Sequence, residues 1–263
     1  MRVIKVDSGV SRPPETAAGF SRLELLAVLA VLAVLALLAA IQFPALAHNK
    51  GNSHRAVCAD NLRRLALSWL MYADDNRGRL VPNSGSFSLT SDWVSGVLDF
   101  SSPDSTNTLK IIQAKLYPYN HAVEIYRCPD DLSLFRGQLR VRSYSMNAYV
   151  GDGTRGWTAG FQLITNLSLV RQPDQTIVFV EEHSDSINDG FFAVDMSPAP
   201  GTRIVDFPAA YHYYGANLGF ADGSAKYRPW VDSRTSPTRL NFGVISPNNP
   251  DVAWLQSVTT YRK

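Results

Sequence analysis

The sequence has few cysteines and almost no excess charge of either sign. Cys58 and Cys128 are its two cysteines, too few for a disulfide-framework fold, and they show neither a CxxC nor a zinc-ligand spacing. Lysine and arginine total 25 against 23 acidic residues, so the net charge of +2 gives no general attraction to nucleic acid. A nucleophile elbow, an HExxH pair, a P-loop and a dinucleotide fingerprint are all missing. We therefore predict neither an enzyme nor a nucleic-acid-binding protein.

One long hydrophobic run is present near the N-terminus. No charged residue occurs at 25–47, and a helix of that length, at 1.5 Å per residue, would span ~34 Å, close to the ~30 Å of a bilayer's hydrocarbon core. Four basic residues precede the run, against Asp7 and Glu15. This basic excess predicts a cytoplasmic N-terminus and an exterior position for everything after His48.

A competing interpretation of the same run is a secretory signal peptide. Ala45-Leu46-Ala47 has the small-x-small form of a signal-peptidase site, and cleavage there would release a domain that begins at His48. The apolar region of a signal peptide has only ~7–15 residues. Because the run is longer than that, a membrane anchor is favoured.

Helical periodicity resumes after Gly51. Apolar residues recur there at spacings of four, three, four and three, at Cys58, Leu62, Leu65, Trp69 and Tyr72. One stripe of this kind predicts a helix that packs on a globular domain. Beyond residue 80, short apolar runs between turn residues predict strands at 92–94, 142–146, 176–180, 190–194 and 203–207, with a helix across 108–117. We predict an α+β fold in which a long N-terminal helix, half membrane-spanning and half amphipathic, carries an antiparallel-sheet head.

A motif stands at the start of the hydrophobic run. A glycine is followed by an aromatic residue and then by a glutamate four positions further on, as Gly19-Phe20-Ser21-Arg22-Leu23-Glu24. The motif resembles the cleavage and methylation site of type IV pilins and type II secretion pseudopilins. In that family, a membrane peptidase cuts after the glycine and methylates the new aromatic N-terminus.

The resemblance implies a role for three residues. Gly19 would be the last leader residue, Phe20 the mature N-terminus and Glu24 the acidic residue of the motif. Cleavage would create an α-ammonium group at Phe20. A glutamate one turn inside a neighbouring helix can pair with that group when subunits stagger, which neutralises two charges in a low-dielectric bundle.

The resemblance also implies an organisation, a function and a location. Residues 1–19 would be a cleaved leader, 20–77 a long pilin-like helix with its transmembrane half at 25–47, and 78–263 an exterior head. The expected function is that of a structural subunit of a type IV pilus-like filament or a type II secretion pseudopilus. The expected partners are the prepilin peptidase, other copies or related pilin-like subunits, and the inner-membrane assembly platform. The expected location is the bacterial cytoplasmic membrane, with the head in the periplasm or outside the cell.

A second motif lies near the C-terminus. His212 is followed by nine residues and then by Asp222-Gly223. This spacing resembles an H-X9-DG motif found near the C-terminus of many pilin-like proteins. Asp-Gly is a preferred dipeptide of two-residue type I′ turns, in which both central residues have positive φ, so we predict a hairpin there.

Candidate ligand residues are fewer. Glu182, Asp185, Asn188 and Asp189 follow a predicted strand and could hold Ca²⁺, although their spacing is not that of an EF-hand, and a solvated turn is the alternative. His183 and His212 with a carboxylate could form a zinc or general-base site, but a structural histidine is favoured for each.

The two cysteines and the head leave further alternatives open. Cys58 and Cys128 could form a disulfide in an oxidising exterior, or remain buried thiols. A second function, from a different class, is a monomeric domain, anchored or released, that binds a ligand such as a glycan or a metal, or acts as a hydrolase.

Overall fold

The structure is a computed structural model that describes residues 22–85 and 91–263. The predicted leader at 1–19, with Gly19 and Phe20 of the predicted processing site, lies outside the described residues. The chain divides into two compact units, one ending at Asn49 and the other beginning at Lys50.

The first helix, α1, runs from Arg22 to Asp75, and its first part belongs to the first unit. Glu24 lies in its first turn, where the positive end of the helix dipole favours an acidic side chain. Large apolar side chains between Leu23 and Leu35 are exposed on this part of the helix. Because leucine, valine and alanine occupy nearly every position there, all faces of the helix are apolar.

The predicted fold class is wrong in two respects. First, within residues 22–85 and 91–263, no helix is long and apolar enough to cross a membrane, so the predicted membrane half at 25–47 is not found. Second, the main sheet is mixed rather than antiparallel. Strands β3 (Tyr144–Asn147) and β5 (Phe191–Phe192) pair in parallel, because the chain after β4 (Ile177–Glu181) crosses over to the far side of β3 instead of turning back beside β4.

The sheet of the second unit has five strands in the order β5-β3-β4-β6-β7. The last two strands are β6, Gly215–Phe220, and β7, Ala225–Pro229, and they form the antiparallel hairpin predicted for the H-X9-DG segment. A separate pair is formed by β1, Leu134–Phe135, and β2, Gln138–Leu139. The remaining helices are α2 (Leu109–Ile112), α3 (Pro250–Thr259) and four 3₁₀ turns at Pro103–Thr106, Tyr117–Tyr119, Glu124–Tyr126 and Leu167–Leu169.

Two apolar layers cover the two faces of this sheet. On one face, the α1 stripe predicted from the sequence is buried, and Leu62, Leu65 and Trp69 pack into one cluster with side chains such as Met146 of β3. On the other face, α3 contributes to a second cluster of side chains from β4, β5 and β6. The second unit is therefore a helix–sheet–helix sandwich, with the later part of α1 as one outer layer.

Two of the predicted strands are not formed. The segment 92–94 has no strand structure, because buried Trp93 is fixed instead by a hydrogen bond from its Nε1 to the Gly190 carbonyl at 3.0 Å. The segment 203–207 makes one isolated bridge, between Arg203 and Ile245. In both segments, tertiary contacts rather than a ladder of strand hydrogen bonds bury the apolar residues.

Candidate metal centre

Four segments of the second unit bring two thiols, a carboxylate and an imidazole together. Cys58 lies on the buried stripe of α1, and Cys128 follows the 3₁₀ turn Glu124–Tyr126. Glu181 is the last residue of β4, and His212 lies in the turn before β6. All four are buried, at no more than 1% exposure. One potential ligand atom from each lies within 4.8 Å of the other three.

The contacts within this centre are polar and close. His212 Nε2 is 3.1 Å from Glu181 Oε1 and 3.3 Å from Cys128 Sγ. Cys58 Sγ contacts Glu181 Oε1 as a hydrogen-bond donor and lies 3.0 Å from the hydroxyl of buried Tyr144. All four side chains therefore converge on one small volume between α1 and the end of β4.

The opposite side of the imidazole faces a second carboxylate. His212 Nδ1 lies 3.1 Å from Asp130 Oδ2, a distance typical of an ion pair, although the contact is not aligned as a directed hydrogen bond. The other oxygen of Asp130 contacts Nδ1 of His54, one turn before Cys58 on α1. Asp130 thus bridges the helix and the histidine at the edge of the centre.

Backbone hydrogen bonds fix the centre in place. The N–H of Asn217 on β6 donates to Glu181 Oε2 at 2.5 Å, because β4 and β6 are neighbours in the sheet. The N–H of Cys128 donates to Ser143 Oγ at 3.1 Å. The carbonyl of His212 accepts a hydrogen bond from the Tyr227 hydroxyl at 2.8 Å. Glu181 is consequently held by the neighbouring strand, and the backbones of Cys128 and His212 are fixed by the contacts around them.

Burial and mutual proximity shift the pKa values of these groups. Burial, assisted by Cys128 and Glu181, raises the pKa of the Cys58 thiol well above its usual value. Burial alone would lower the pKa of His212, but its hydrogen bonds with Cys128 and Glu181 and their charge raise it to about 10. The Tyr144 pKa is also raised, by burial and by the neighbouring thiols and carboxylate. These shifts favour a neutral Cys58 thiol and a protonated His212 imidazole when protons are the only cations present.

The donor set decides what this arrangement can do. Cysteine sulfur, histidine nitrogen and carboxylate oxygen are the three ligand types that proteins offer to zinc. Since all four residues are buried, the centre has no surface at which a substrate could meet it. Its chemistry therefore fits cation binding that supports the fold better than catalysis.

The H-X9-DG motif contributes to this centre from one end only. His212 enters it, whereas Asp222 and Gly223 lie at the far end of β6, in the turn that leads to β7. The prediction of a two-residue type I′ turn is wrong, because Gly223 has a φ of +85° but Asp222 does not have a positive φ. The loop is longer, with hydrogen bonds from the Gly223 N–H to the Phe220 carbonyl and from the Phe220 N–H to the Ser224 carbonyl.

The turn of the motif touches α1. A Cβ added at Gly223 would lie 3.2 Å from Cδ2 of Leu67 and 3.4 Å from Cδ1 of Leu70. Near the end of β6, a Cβ at Gly219 would lie 3.3 Å from the Leu62 carbonyl oxygen. The Asn217 amide also donates to the carbonyl of Arg55 at 3.4 Å. The nine residues between the histidine and Asp222 therefore span a strand that follows α1.

The predicted calcium residues do not form one site. Glu182 is buried, with Oε1 accepting a hydrogen bond from the Ser186 hydroxyl at 2.8 Å, whereas Asp185 and Asn188 are exposed. Asp189 instead accepts the Phe191 N–H at 2.7 Å. The split arises because Glu182 follows β4 into the core, whereas Asp185 and Asn188 lie at exposed positions of the loop that comes next. Calcium at this loop stays an untested prediction.

The other sequence-derived ligand residues are placed apart as well. His183 is half-buried, its Nδ1 accepts the Asp185 N–H at 3.1 Å, and burial lowers its pKa. It does not join His212. Cys58 and Cys128 are free thiols, so the structure does not contain the disulfide considered from the sequence. Each buried thiol contacts polar partners of the centre.

Sequence reasoning missed the centre as a whole. The four residues of the centre are scattered through the chain without any short spacing, and Glu181 was one acid among several after the strand predicted at 176–180. The usable signal was indirect: a cysteine on the inward stripe of α1, and a histidine at a fixed distance from a turn.

Comparisons with known proteins add no family. No protein-family model matches this chain, and no curated protein or solved structure is significantly similar to it. The resemblance to pilin-like proteins rests on the motifs in the sequence alone.

Proposed function

We propose that this chain is a pilin-like structural subunit that assembles with other copies, or with related subunits, through the first part of α1. The observation that supports the proposal is the exposed apolar surface of that helix. Nine leucine and valine side chains there are 47–80% exposed: Leu23, Leu25, Leu26, Val28, Leu29, Val31, Leu32, Val34 and Leu35.

Such a surface needs a partner. Contiguous apolar patches of this kind mark interaction sites, and full burial of a single leucine or valine is favourable by about 1.5–3 kcal/mol. A helix that is apolar on all faces is typically surrounded by other apolar elements. A bundle of equivalent helices would cover all faces at once, whereas a pairwise contact would cover one stripe.

Glu24 gives the proposed assembly a specific interaction. It is the one acidic residue in the first turn of α1, directly beside exposed Leu23 and Leu25. After cleavage behind Gly19, the α-ammonium of Phe20 in a neighbouring subunit would meet this carboxylate inside the helix bundle. Charge pairing in a low-dielectric environment would then set the stagger between subunits.

The rest of the proposal follows the same resemblance. Its processing partner is a prepilin peptidase, its assembly partner is an inner-membrane platform, and its location is the bacterial cytoplasmic membrane and the filaments that grow from it. The head of residues 78–263 would face the exterior. The proposed role is structural, and it needs no catalytic residue.

N-terminal mass analysis of the native protein tests the processing step. A chain that begins at methylated Phe20 is the expected result. A chain that begins at Met1 contradicts processing, and a chain that begins at His48 supports a released domain that binds a ligand or acts as a hydrolase.

A variant pair tests the assembly step. Glu24→Gln keeps the size of the side chain but removes its charge, so we expect normal cleavage together with loss of the protein from sheared or sedimented filaments. Glu124→Gln is the matched control, because Glu124 is an exposed glutamate of the second unit. Equal recovery of both variants in filaments would contradict the charge-pairing role of Glu24.

A further inference from the structure

We propose that Cys58, Cys128, Glu181 and His212 bind one Zn²⁺ ion, and that this ion fastens α1 to the sheet of the second unit. The inference is independent of the proposed function, since it concerns residues after Lys50 and does not require any assembly. It rests on the convergence of the four ligand atoms, on their burial and on the contact between His212 and Asp130.

The separations between ligand atoms are close to those around a tetrahedral zinc ion. With bonds of ~2.3 Å to sulfur and ~2.0 Å to nitrogen or oxygen, neighbouring ligand atoms lie roughly 3.3–3.8 Å apart. Here His212 Nε2 is 3.1 Å from Glu181 Oε1 and 3.3 Å from Cys128 Sγ. All four ligand atoms fall within 4.8 Å of one another. Side-chain shifts of up to about 1 Å would therefore complete the coordination sphere.

The ligand types select the metal. Two thiolates make the centre unsuitable for Ca²⁺ or Mg²⁺, which prefer oxygen ligands. A mixture of sulfur, imidazole nitrogen and carboxylate oxygen at four corners suits Zn²⁺. Since four protein ligands fill a tetrahedral sphere and the centre is buried, the site is closed, which is the mark of structural zinc.

Asp130 supplies the outer support that zinc-bound histidines usually have. A ligating histidine typically donates its other ring N–H to a carboxylate, which fixes the ring orientation. His212 directs Nε2 at the two ligand residues Cys128 and Glu181, while its Nδ1 lies 3.1 Å from Asp130 Oδ2. The order carboxylate, histidine, metal is the one found around zinc sites, with Asp130 at ion-pair distance from the ring rather than in an aligned hydrogen bond.

Binding exchanges protons for the ion. Zn²⁺ forms bonds to two sulfur atoms, to Nε2 and to a carboxylate oxygen. The S–H protons pass to the buffer, and so does the Nε2 proton when the ring carries one. The contact between the thiol of Cys58 and Glu181 is replaced by a bond from each to the metal. No oxidant or reductant takes part, and both sulfurs stay reduced.

The consequence for the fold is a cross-link between distant segments. Cys58 is on α1, Glu181 on β4 and His212 at the start of the β6–β7 hairpin, so one ion holds the outer helix to the middle of the sheet. Any ligand that binds only the folded state stabilises it by an amount that rises with the logarithm of its concentration relative to its dissociation constant. Zinc should therefore raise the midpoint of thermal unfolding of the full chain.

Metal analysis of the full-length chain tests the proposal. The protein, purified in detergent without chelator and dialysed, should contain one zinc per chain when measured by inductively coupled plasma mass spectrometry. After chelation and reloading with Co²⁺, thiolate-to-cobalt charge-transfer bands and intense visible d–d bands should appear at one equivalent. Zinc-edge X-ray absorption should show two sulfur and two lighter neighbours.

Four variants sharpen this test. Cys128→Ser and His212→Gln should each lose the bound zinc. Tyr144→Phe should keep it, because Tyr144 touches Cys58 without being a ligand, and His183→Gln should keep it, because His183 lies outside the centre. These two controls separate loss of a ligand from a general disturbance of the neighbourhood.

Several outcomes would overturn the inference. The first is that the chain contains no zinc and shows no cobalt–thiolate bands. The second is that Cys128→Ser retains one equivalent of zinc. The third is that mass spectrometry finds a Cys58–Cys128 disulfide in the native protein. Should the two ligand variants fail to fold, the wild-type cobalt titration and the X-ray absorption spectrum alone decide. None of these outcomes bears on filament assembly, which is measured separately.

Discussion

The half-buried carboxyl group of Asp206 should make the stability of the second unit depend on pH. Its Oδ2 accepts the N–H of Ala193 at 2.6 Å. Burial raises the pKa of this group to about 7 from an ordinary 3.8, and the nearby Asp189 acts in the same direction. The protonated form is therefore favoured in the folded chain.

The direction of the effect follows from proton binding. Between pH 4 and 7, the folded chain binds a proton at Asp206 that the unfolded chain has released, so stability falls as the pH rises through this range. Three pKa units at about 1.4 kcal/mol each give at most about 4 kcal/mol, lost in full above pH 7. Asp206→Asn has no charge to bury and keeps an oxygen that can accept the Ala193 N–H.

Urea unfolding followed by tryptophan fluorescence, from pH 4.5 to 8, measures this difference. We expect Asp206→Asn to match the wild type near pH 4.5 and to exceed it by about 2–4 kcal/mol at pH 8. Asp222→Asn is the control, because hydrogen bonds from Ser224 lower the pKa of Asp222, so its loss should bring no gain at pH 8. A constant difference between Asp206→Asn and wild type at all pH values would refute the reasoning.

Two further substitutions test contacts that hold the elements of the second unit together. Gly223→Ala should lower the free energy of unfolding by about 1–2 kcal/mol, because its φ is +85° and the new methyl group would contact Leu67. Gly137→Ala is the control, since Gly137 has a similar φ of +80° but nothing within 4 Å of the added Cβ. Equal losses in the two variants would show that the turn does not press on α1. Asn147→Ala should cost about 3 kcal/mol or more in the same urea assay, because the buried amide serves two backbone carbonyls and one backbone N–H. Exposed Asn188→Ala should stay within about 0.5 kcal/mol of wild type, and a similar loss in both would contradict this account.

The periodicity of apolar residues predicts those parts of the fold that are set within a single helix, strand or hairpin. The stripe from Cys58 to Trp69 is buried as expected, since helix geometry alone puts those residues on one face. The strands at 176–180 and 142–146 appear as β4 and β3, with bounds shifted by a residue or two. The hairpin after His212 is also confirmed, since both of its strands flank the Asp-Gly turn.

Features that depend on strand order could not be read from the sequence. Glu181 and His212 meet because β4 and β6 are neighbours, and a cysteine of α1 reaches them because the helix packs on that face of the sheet. The parallel pairing of β5 with β3 has the same origin. The expected membrane half of α1 was wrong as well, because among the described residues no helix combines the length and the hydropathy that a membrane crossing requires.

The alignment of β6 with α1 limits how this chain can vary in length. Along the strand, Asn217, Gly219 and Gly223 meet Arg55, Leu62 and Leu67 in the same order as those residues occur on the helix. One inserted residue inside β6 would exchange the two faces of everything beyond it and turn larger apolar side chains toward the helix backbone. Insertions and deletions should thus be tolerated in the open turn around Gly137, but not between His212 and Asp222, where the helix imposes a fixed count.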